Sequence, residues 1–477
     1  MDRQVSPSHT NPESMHLLGI GGAGMSVVAQ LLARRGYRVS GSDQTDSHTL
    51  TRLRDAGITV FVGHRAQQVP ADATVVVSSA VRETNPELQV ARQRGQRVLH
   101  RSQALALAAQ GKDFVAVAGA HGKTTTSGML ASALTAAGTD PSFAVGGVVL
   151  GFGTGANLGQ GSAFIAEADE SDGSFLNYQP RVAVVTNVEP DHLDHYGSVE
   201  AFEQAFADFA QRIVPGGLLI ACADDPGAVR LARRHHEDGG RVWTYGQVSA
   251  AQAGLPGATH CQIQQVEVTA NGVHAQLVLG EDIPRAACAA QLELAVTGVH
   301  NLLNATAAYL TGVELGVAGP TMARALAQFT GTGRRFESRG EVGGKRLFDD
   351  YAHHPSEVAA AVAQARVVAG EGKVRVLFQP HLYSRTQNFA QRFAQALSGA
   401  DQVILTDIYG AREDPIEGVT SALIADHLPG AQVVADRFEA ARALARAAEP
   451  GDVCITMGAG NVTEAGQEVL SVWRAEV

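Results

Sequence analysis

Residues 119–126 read Gly-Ala-His-Gly-Lys-Thr-Thr-Thr, and these residue types at this spacing could hold the phosphates of a nucleotide. The apolar, partly β-branched run DFVAVA precedes them, and the run TSGMLASALTAAG, which overlaps their end, predicts a helix. A strand, a glycine-rich turn and a helix in this order place backbone N–H groups and a helix N-terminus around an anion. Lys123 then reaches the outer phosphates of ATP, and the Thr124 hydroxyl is positioned for Mg²⁺.

This phosphate loop is a short variant, G-x-x-G-K-T, because Val117 stands where the longer form carries glycine. The alternative is a chance glycine-rich turn, but that alternative does not explain why strand, loop and helix occur in the required order. The sequence therefore predicts an ATP site with Mg²⁺. The loop residues assigned to ATP are Gly119, Ala120, His121, Gly122, Lys123, Thr124 and Thr125.

A second glycine-rich turn, Gly19-Ile-Gly-Gly-Ala-Gly24, also stands between a predicted strand and a predicted helix. Asp43 follows at the end of the next strand, close to the spacing of an acidic residue that binds a ribose. Taken alone, the pattern indicates an NAD site and hence a dehydrogenase. It specifies only a pyrophosphate near a helix N-terminus, however, so a nucleotide-diphosphate sugar satisfies it equally well, and a purely structural turn stays open.

Carboxylates and histidines crowd together after two further apolar runs. Such groups at the end of a buried strand favour a bound cation, although a solvated acidic loop is the alternative for the first cluster and a polar loop for the second. The clusters are Glu167, Asp169, Glu170 and Asp172, and then Asp191, His192, Asp194 and His195. Basic residues near strand ends of the last third could clamp phosphates or a carboxylate, or lie at the surface: Arg334, Arg335, His353, His354, His381 and Arg385.

The elements that must position these groups alternate between strands and helices in three regions, which predicts an α/β fold. We expect domains at residues 15–108, 109–328 and 329–477. The first and third are expected to be Rossmann-like, and the central one to be of the P-loop ATPase type. Between about residues 246 and 294, apolar and polar residues alternate, which predicts a small antiparallel subsheet within the central domain.

Composition limits the function classes. The formal net charge of -11 over 477 residues argues against nucleic-acid binding. The cysteines are four and scattered, which argues against disulfides or a zinc site and fits a reducing compartment. The N-terminus is polar, and no apolar stretch approaches the length of a membrane span. We therefore expect a cytoplasmic enzyme with a short disordered N-terminal tail, a monomer or weak homodimer that binds no membrane.

Taken in order and spacing, the motifs resemble those of the Mur ligases, the ATP-dependent amide ligases of peptidoglycan synthesis. The resemblance runs from Gly19 to about Gly460. It is carried by GIGGAGMS, GAHGKTTT, EADESDGSFL, TNVEPDHLDHY, HNLLNA, GTGRRF, DDYAHHP, FQPHLYSRT and TDIYGAREDP. No single motif is decisive, but the combination is highly specific.

The resemblance implies a site in each domain. The first domain would hold a UDP-sugar through Gly21, Gly22, Ala23, Gly24, Met25, Ser26, Asp43, Ser78, Ser79, Ala80, His100 and Arg101. ATP would also contact Asn301 and Asn304, and Mg²⁺ would be held by Thr124, Glu167 and His192. The third domain would bring Arg335 and Asp350 to the nucleotide, and Tyr351, His353 and Arg385 to an amino acid. The catalytic set would be Lys123, Glu167, His192, Arg335 and Asp350.

The implied activity is the ATP-dependent joining of L-alanine to the lactyl carboxylate of UDP-N-acetylmuramate through an acyl phosphate. Two alternatives stand beside it. A recycling ligase of the same family would attach a preformed tripeptide to the same sugar. An NAD-dependent dehydrogenase would explain the turn at residues 19–24 but would leave the phosphate loop without a use.

Overall fold

The computed structural model describes residues 13–190, 193–249, 251–252, 254–255, 258–280, 283, 289–411 and 413–476. Most of the polar N-terminal segment expected to form a tail therefore lies outside the described residues. The strands form three sheets that follow one another along the chain. The predicted α/β fold class, with three successive sheet-based units, is confirmed.

The first sheet has five parallel strands in the order β3-β2-β1-β4-β5. Its direction of strand addition reverses between β1 and β4, which is where doubly wound sheets bind ligands. The strands are β1 (Ser14–Leu18), β2 (Arg38–Asp43), β3 (Thr59–Val62), β4 (Thr74–Val77) and β5 (Val98–His100). The helices are α1 (Ala23–Arg34), α2 (His48–Asp55), α3 (Pro86–Gln93) and α4 (Arg101–Ala108).

The central sheet has ten strands, and parallel strands form its middle. β6, β10 and β11 are buried along almost their whole length, as parallel strands covered on both faces must be. These strands are β6 (Asp113–Ala118), β7 (Ser142–Val149), β8 (Thr154–Asn157), β9 (Ala163–Glu167), β10 (Val182–Val185), β11 (Leu218–Cys222) and β12 (Arg241–Gly246). The helices are α5 (Lys123–Ala136), α6 (Leu193–Tyr196), α7 (Val199–Ala210), α8 (Pro226–Glu237), α9 (Val299–Glu314) and α10 (Gly319–Leu326).

The predicted antiparallel strands are β13 (Thr259–Thr269), β14 (Gly272–Leu279) and β15 (Ala289–Leu294). They continue the central sheet, because β13 pairs in parallel with β12. The full order is β15-β14-β13-β12-β11-β10-β6-β9-β7-β8.

The third sheet has the order β16-β17-β21-β18-β19-β20, and only its edge strand β16 is antiparallel. Its strands are β16 (Glu337–Val342), β17 (Lys345–Asp350), β18 (Val374–Phe378), β19 (Gln402–Leu405), β20 (Gln432–Val433) and β21 (Val453–Met457). Its helices are α11 (Pro355–Ala369), α12 (Tyr383–Leu397), α13 (Ala422–Ala425), α14 (Arg437–Ala447) and α15 (Ala465–Glu476). Among the described helices, none has the length and apolar character that crossing a membrane requires.

Packing between the units is unequal. One cluster of buried apolar residues runs from Leu31 in the first unit to Phe164 in the central one, with α1 packed against β7 and β8. By contrast, among the residues the structure describes, no cluster of buried apolar residues joins the third unit to the other two. The third unit therefore packs on the rest of the described chain without the shared apolar core that joins the first two units, and relative motion is the default expectation for such a unit.

A buried ion pair secures the parallel strands of the third sheet. Its removal tests the packing within the third unit. The Asp452 carboxylate accepts hydrogen bonds from Arg375 Nε at 2.7 Å and from the backbone N–H of Lys373 at 2.9 Å. The Asp452 and Arg375 side chains are only 4% and 8% exposed. We expect Asp452→Ala to destabilise the third unit by about 3–5 kcal/mol, because it leaves a buried guanidinium unpaired. Denaturant unfolding measures this, with the exposed Asp426→Ala as control; equal effects would contradict the account.

Candidate active site

The carboxyl ends of β10, β6 and β9 lie side by side at one edge of the central sheet. Val185 is paired with Ala118, and Val117 with Glu167, so the three strands end almost in register. The phosphate loop follows β6, and the two clusters of carboxylates and histidines follow β9 and β10. Parallel pairing thus brings together motifs that are well separated in the chain.

Two glycines fix the path of the phosphate loop. Gly119 has φ +132°, and a Cβ there would lie 2.2 Å from Thr186 Oγ1. Gly122 has φ +82°, and a Cβ there would lie 2.6 Å from Asn304 Oδ1. Because Gly122 is the N-cap of α5, no side chain at that position covers the first N–H groups of the helix. The loop presents these groups as a phosphate cradle would.

Lys123 is held at the centre of this edge. Its Nζ donates to Glu170 Oε1 and Oε2 at 2.9 and 2.8 Å and to the Gly119 carbonyl at 2.6 Å. Burial alone would lower the pKa of Lys123, but the negative charges of Glu170 and Asp169 raise it, so the amine stays charged. The lysine has a buried counter-ion within the same site, and it can exchange that partner for a phosphate oxygen.

Two of the three residues predicted to hold Mg²⁺, Thr124 and Glu167, lie next to each other in the structure. Thr124 Oγ1 donates to Glu167 Oε2 at 3.1 Å, and the N–H of Gly146 donates to Glu167 Oε1 at 2.6 Å. Burial raises the pKa of Glu167, although the nearby charges of Lys123 and Arg335 act to lower it. A hydroxyl and a desolvated carboxylate at the end of a strand fit Mg²⁺. His192 lies outside the described residues.

A cavity of about 230 Å³ opens beside the phosphate loop, between the central and third units. It is large enough to admit an adenine ring, and it contains most of the residues predicted for ATP. Its walls include His121, Gly122 and Thr125 from the loop, His300, Asn301 and Asn304 from α9, and Arg335, Phe336 and Asp350 from the third unit. Burial, with the charge of Arg335, lowers the pKa of His300 to about 4, so the His300 ring is uncharged near neutral pH.

Arg335 and Asp350 stand together on the third-unit side of the cavity. Asp350 accepts from the N–H groups of Phe336 at 2.8 Å and Ala352 at 2.7 Å. Burial raises the pKa of Asp350 to about 6 in spite of the nearby Arg335. The Arg335 guanidinium lies 5.2 Å from the centre of the Tyr351 ring. Both residues line the cavity from the third unit, opposite the loop and α9.

The glycine turn of the first unit precedes α1 at the switch point of its sheet. Gly22, Ala23, Gly24, Met25 and Ser26 form the start of that helix, and Gly21 precedes them. The predicted residues Ser78, Ser79 and Ala80 follow β4, and His100 and Arg101 stand where β5 meets α4. Ser79 Oγ lies 3.2 Å from His100 Nε2. These residues therefore converge on one edge.

Two predicted residues of this site have partners within the protein. Asp43 Oδ2 accepts from the Gly21 N–H at 2.8 Å, so this carboxylate braces the glycine turn. A Cβ at Gly24 would lie 2.1 Å from Arg101 Nη1, so the guanidinium lies directly on the N-terminus of α1. Arg101 thus brings a positive charge to the helix end where a diphosphate is expected.

The acidic loop after β9, residues 168–173, connects this site with the phosphate loop. Asp169 accepts from Arg101 Nη2 at 3.1 Å, and Asp172 contacts Ser79 and lies 3.5 Å from His100. Glu170, between them in sequence, holds Lys123. One short segment therefore contacts both predicted ligand sites.

The residues predicted for the amino acid also meet. The rings of Tyr351 and His353 are 5.2 Å apart, and His353 is 5.7 Å from the His381 ring. Arg385 is buried in the first turn of α12. Burial lowers the pKa of His353 to about 3, so its ring is neutral near pH 7. The cluster therefore places the uncharged His353 ring near the positive charge of Arg385.

Three residues absent from the predicted site contact the phosphate loop. The Asn187 side chain accepts from the His121 N–H and donates to its carbonyl, both at 3.0 Å. Glu189 and Glu357 flank the His121 ring at 3.3 and 3.5 Å. In the sequence, Glu357 shows only as the capping-box glutamate after His354, and nothing there signals its contact with the phosphate loop.

The geometry of Gly119 gives a direct test of the loop. Gly119→Ala should weaken ATP binding by more than about tenfold, because a methyl group at this φ costs about 1–3 kcal/mol and meets Thr186. Gly151→Ala is the matched control, since Gly151 has ordinary φ and no atom within 4 Å of its would-be Cβ. Calorimetric titration with ATP measures the effect; wild-type affinity in the Gly119 variant would contradict the assignment.

Comparison with known families covers most of the chain. The family model "Mur ligase family, catalytic domain" matches residues 14–113. The model "Mur ligase middle domain" matches residues 117–312, and "Mur ligase, glutamate ligase domain" matches residues 334–460. The three matches follow the three sheets in order.

Individual proteins give the same result. A UDP-N-acetylmuramate–L-alanine ligase from Kineococcus radiotolerans is 53% identical over 469 residues, covering 96% of either chain. One from Renibacterium salmoninarum is 51% identical and covers 96% of this chain and 95% of its own. The crystal structure of a UDP-N-acetylmuramate–alanine ligase from Thermotoga maritima aligns with TM-score 0.79 at 27% identity, covering 97% of this chain and 100% of that one. The chain belongs to the Mur ligase family.

Proposed function

We propose that this protein joins L-alanine to the lactyl carboxylate of UDP-N-acetylmuramate at the expense of ATP, releasing ADP and phosphate. The observation that carries the proposal is the acidic loop at residues 168–173. Through Glu170 it holds the phosphate-loop lysine, and through Asp169 it holds Arg101 of the first unit. A sugar bound at the first unit would thus present its carboxylate next to the terminal phosphate of ATP.

The comparisons support this choice of substrates. The relatives described above are named as ligases of UDP-N-acetylmuramate and L-alanine, and they match almost the whole chain. The dehydrogenase alternative leaves the second and third units without a role, and we set it aside. We assign the UDP-sugar to residues 15–108, ATP to residues 109–328 and the amino acid to residues 329–477.

The reaction has two bond-forming steps. A lactyl carboxylate oxygen attacks the γ-phosphorus of ATP while the bond to the bridging oxygen of ADP breaks, giving an acyl phosphate. The uncharged amine of L-alanine then attacks the acyl carbon, the bond to the phosphate oxygen breaks, and the nitrogen loses a proton. Activation is necessary because a free carboxylate is a poor acyl donor.

In the first step, the residues around the phosphate loop must offset the electrostatic repulsion between the lactyl carboxylate and the γ-phosphate. Lys123 lies at the phosphate loop with its charge retained, and the N–H groups at the start of α5 face the same space. Mg²⁺ held by Thr124 and Glu167 would add positive charge at the phosphates. We also assign His192 to metal binding by family resemblance. Asn301 and Asn304 would contact the adenine from α9.

In the second step, the third unit supplies the amino acid. Arg385 would bind the alanine carboxylate, and Tyr351 and His353 would line its small side chain. His353 is neutral near pH 7, so it adds no positive charge beside the incoming amino group. An acyl phosphate hydrolyses in water, so the third unit must be closed on the central one during both steps.

The location and assembly of the enzyme are part of the proposal. Among the residues that the structure describes, the cysteines Cys222, Cys261 and Cys454 are free and buried, which fits the reducing cytoplasm where ATP and UDP-sugars are available. We infer that the enzyme acts there as a monomer or weak homodimer.

Phosphate release from ATP tests the role of Lys123. The wild type should release phosphate only when UDP-N-acetylmuramate and L-alanine are both present. Lys123→Ala should lower that rate by at least about a hundredfold, because one preorganised charge at the transferred phosphoryl group is lost. Binding of the UDP-sugar to the first unit should persist. The exposed Lys373→Ala is the control. Loss of both phosphate release and UDP-sugar binding in the Lys123 variant would contradict the domain assignment.

The same assay separates the proposal from the recycling alternative. L-alanine should support turnover, and the preformed tripeptide L-Ala-γ-D-Glu-meso-diaminopimelate should not, because Arg385 would bind the free carboxylate of L-alanine, which in the tripeptide is replaced by an amide bond. Turnover with the tripeptide and none with L-alanine would overturn our choice of amino-acid substrate.

A further inference from the structure

We propose that Glu357 is a positioning residue that couples closure of the third unit to the phosphate loop through His121. The inference rests on the proposed function, because it concerns how the ATP site and the amino-acid site are brought into one arrangement. In the sequence, Glu357 shows only the pattern of a helix cap, so the coupling is a second role for this residue.

One buried carboxylate contacts three functional groups. Glu357 is 9% exposed in the first turn of α11, and its Oε1 lies 3.3 Å from Arg335 Nη1 and 3.5 Å from His121 Nδ1. Its Oε2 accepts from the His353 N–H at 3.0 Å. The same side chain therefore touches the phosphate loop, the nucleotide-facing arginine and the loop that carries the amino-acid residues.

His121 is fixed from the opposite side by the central unit. Its Nε2 lies 3.3 Å from Glu189 Oε2, and Thr186 Oγ1 and the Asn187 amide bind its backbone. Since both ring nitrogens and the backbone are engaged, a shift of Glu357 is transmitted to the loop residue next to Gly122. A second contact supports this arrangement, because Ser356 Oγ donates to Glu189 at 2.6 Å.

The charges of the cluster favour the closed arrangement. Burial would lower the pKa of His121, but hydrogen bonds to Glu189 and Glu357 raise it to about 9. The hydrogen bond from His121 lowers the pKa of Glu189 to about 2, and the pKa of Glu357 is held well below its usual range in spite of its burial. The other groups facing the cluster are Arg335 and the His354 ring, the latter 4.7 Å from His121.

The sign of the pH dependence follows from these directions. An exposed imidazole has a pKa of about 6.5. The contribution of His121 to closure is therefore complete below about pH 6.5 and is lost as the pH rises through about 9. In the part of the chain that the structure describes, the third unit shares no buried apolar cluster with the central one, so the polar contacts around His121 are part of what holds the two together.

A mutant cycle on ATP-dependent ligation tests the coupling. Glu357→Gln and His121→Gln should each lower kcat/KM for ATP by about tenfold or more. The double variant should be no less active than the less active of the two single variants. His121→Gln leaves the cap of α11 intact, so its effect cannot come from loss of the cap. Wild-type activity should fall above about pH 9, and His121→Gln should remove that part of the profile. Matched controls are the exposed Glu371→Gln and His427→Gln.

Several outcomes would overturn the inference. It fails if the two single effects multiply in the double variant, or if either variant stays within about twofold of the wild type. It also fails if Glu357→Gln lowers the thermal midpoint while the kinetics and pH profile are unchanged, because the residue would then be a helix cap only. Failure of the proposed function is distinguishable, since the wild type itself would then release no phosphate with L-alanine.

Discussion

Parallel pairing of β10, β6 and β9 is the constraint on which the rest of the site depends. The pairing fixes the ends of three strands at one edge, so the phosphate loop, Glu167 and the loop carrying Glu189 must lie together. Gly119 and Gly122 then allow the chain to turn tightly enough for α5 to begin at Lys123. The charges around the phosphate loop are positioned by this edge, and the lysine lies at their centre.

The acidic loop after β9 extends the same edge toward the first unit. Its carboxylates are costly to bury alone, and each has a basic or hydroxyl partner: Asp169 with Arg101, Glu170 with Lys123, and Asp172 with Ser79. The partners belong to two different units, so charge balance holds the predicted sugar and nucleotide sites at a defined separation. The third unit is attached differently, through polar contacts around His121.

Local patterns revealed most of the fold and much of the candidate site, because a strand, a turn and a helix that bind a phosphate are neighbours in sequence. The glycine loops, the buried strands and the antiparallel extension of the central sheet were all predictable in this way. The hydrogen bond from the Gly21 N–H to Asp43 was not predictable from the spacing, which suggested only a ribose contact. Glu189 and Glu357 were not predictable, since their contacts with His121 arise only when distant segments fold together.

The central claim is that the sugar carboxylate is activated by direct transfer of the γ-phosphoryl group at Lys123. Transfer of ¹⁸O tests it most directly: UDP-N-acetylmuramate labelled in both lactyl carboxylate oxygens is turned over with ATP and L-alanine, and the released phosphate is analysed by mass. The account predicts one ¹⁸O in each phosphate, because the oxygen that attacks phosphorus leaves with it. Unlabelled phosphate formed together with the amide product would contradict the account.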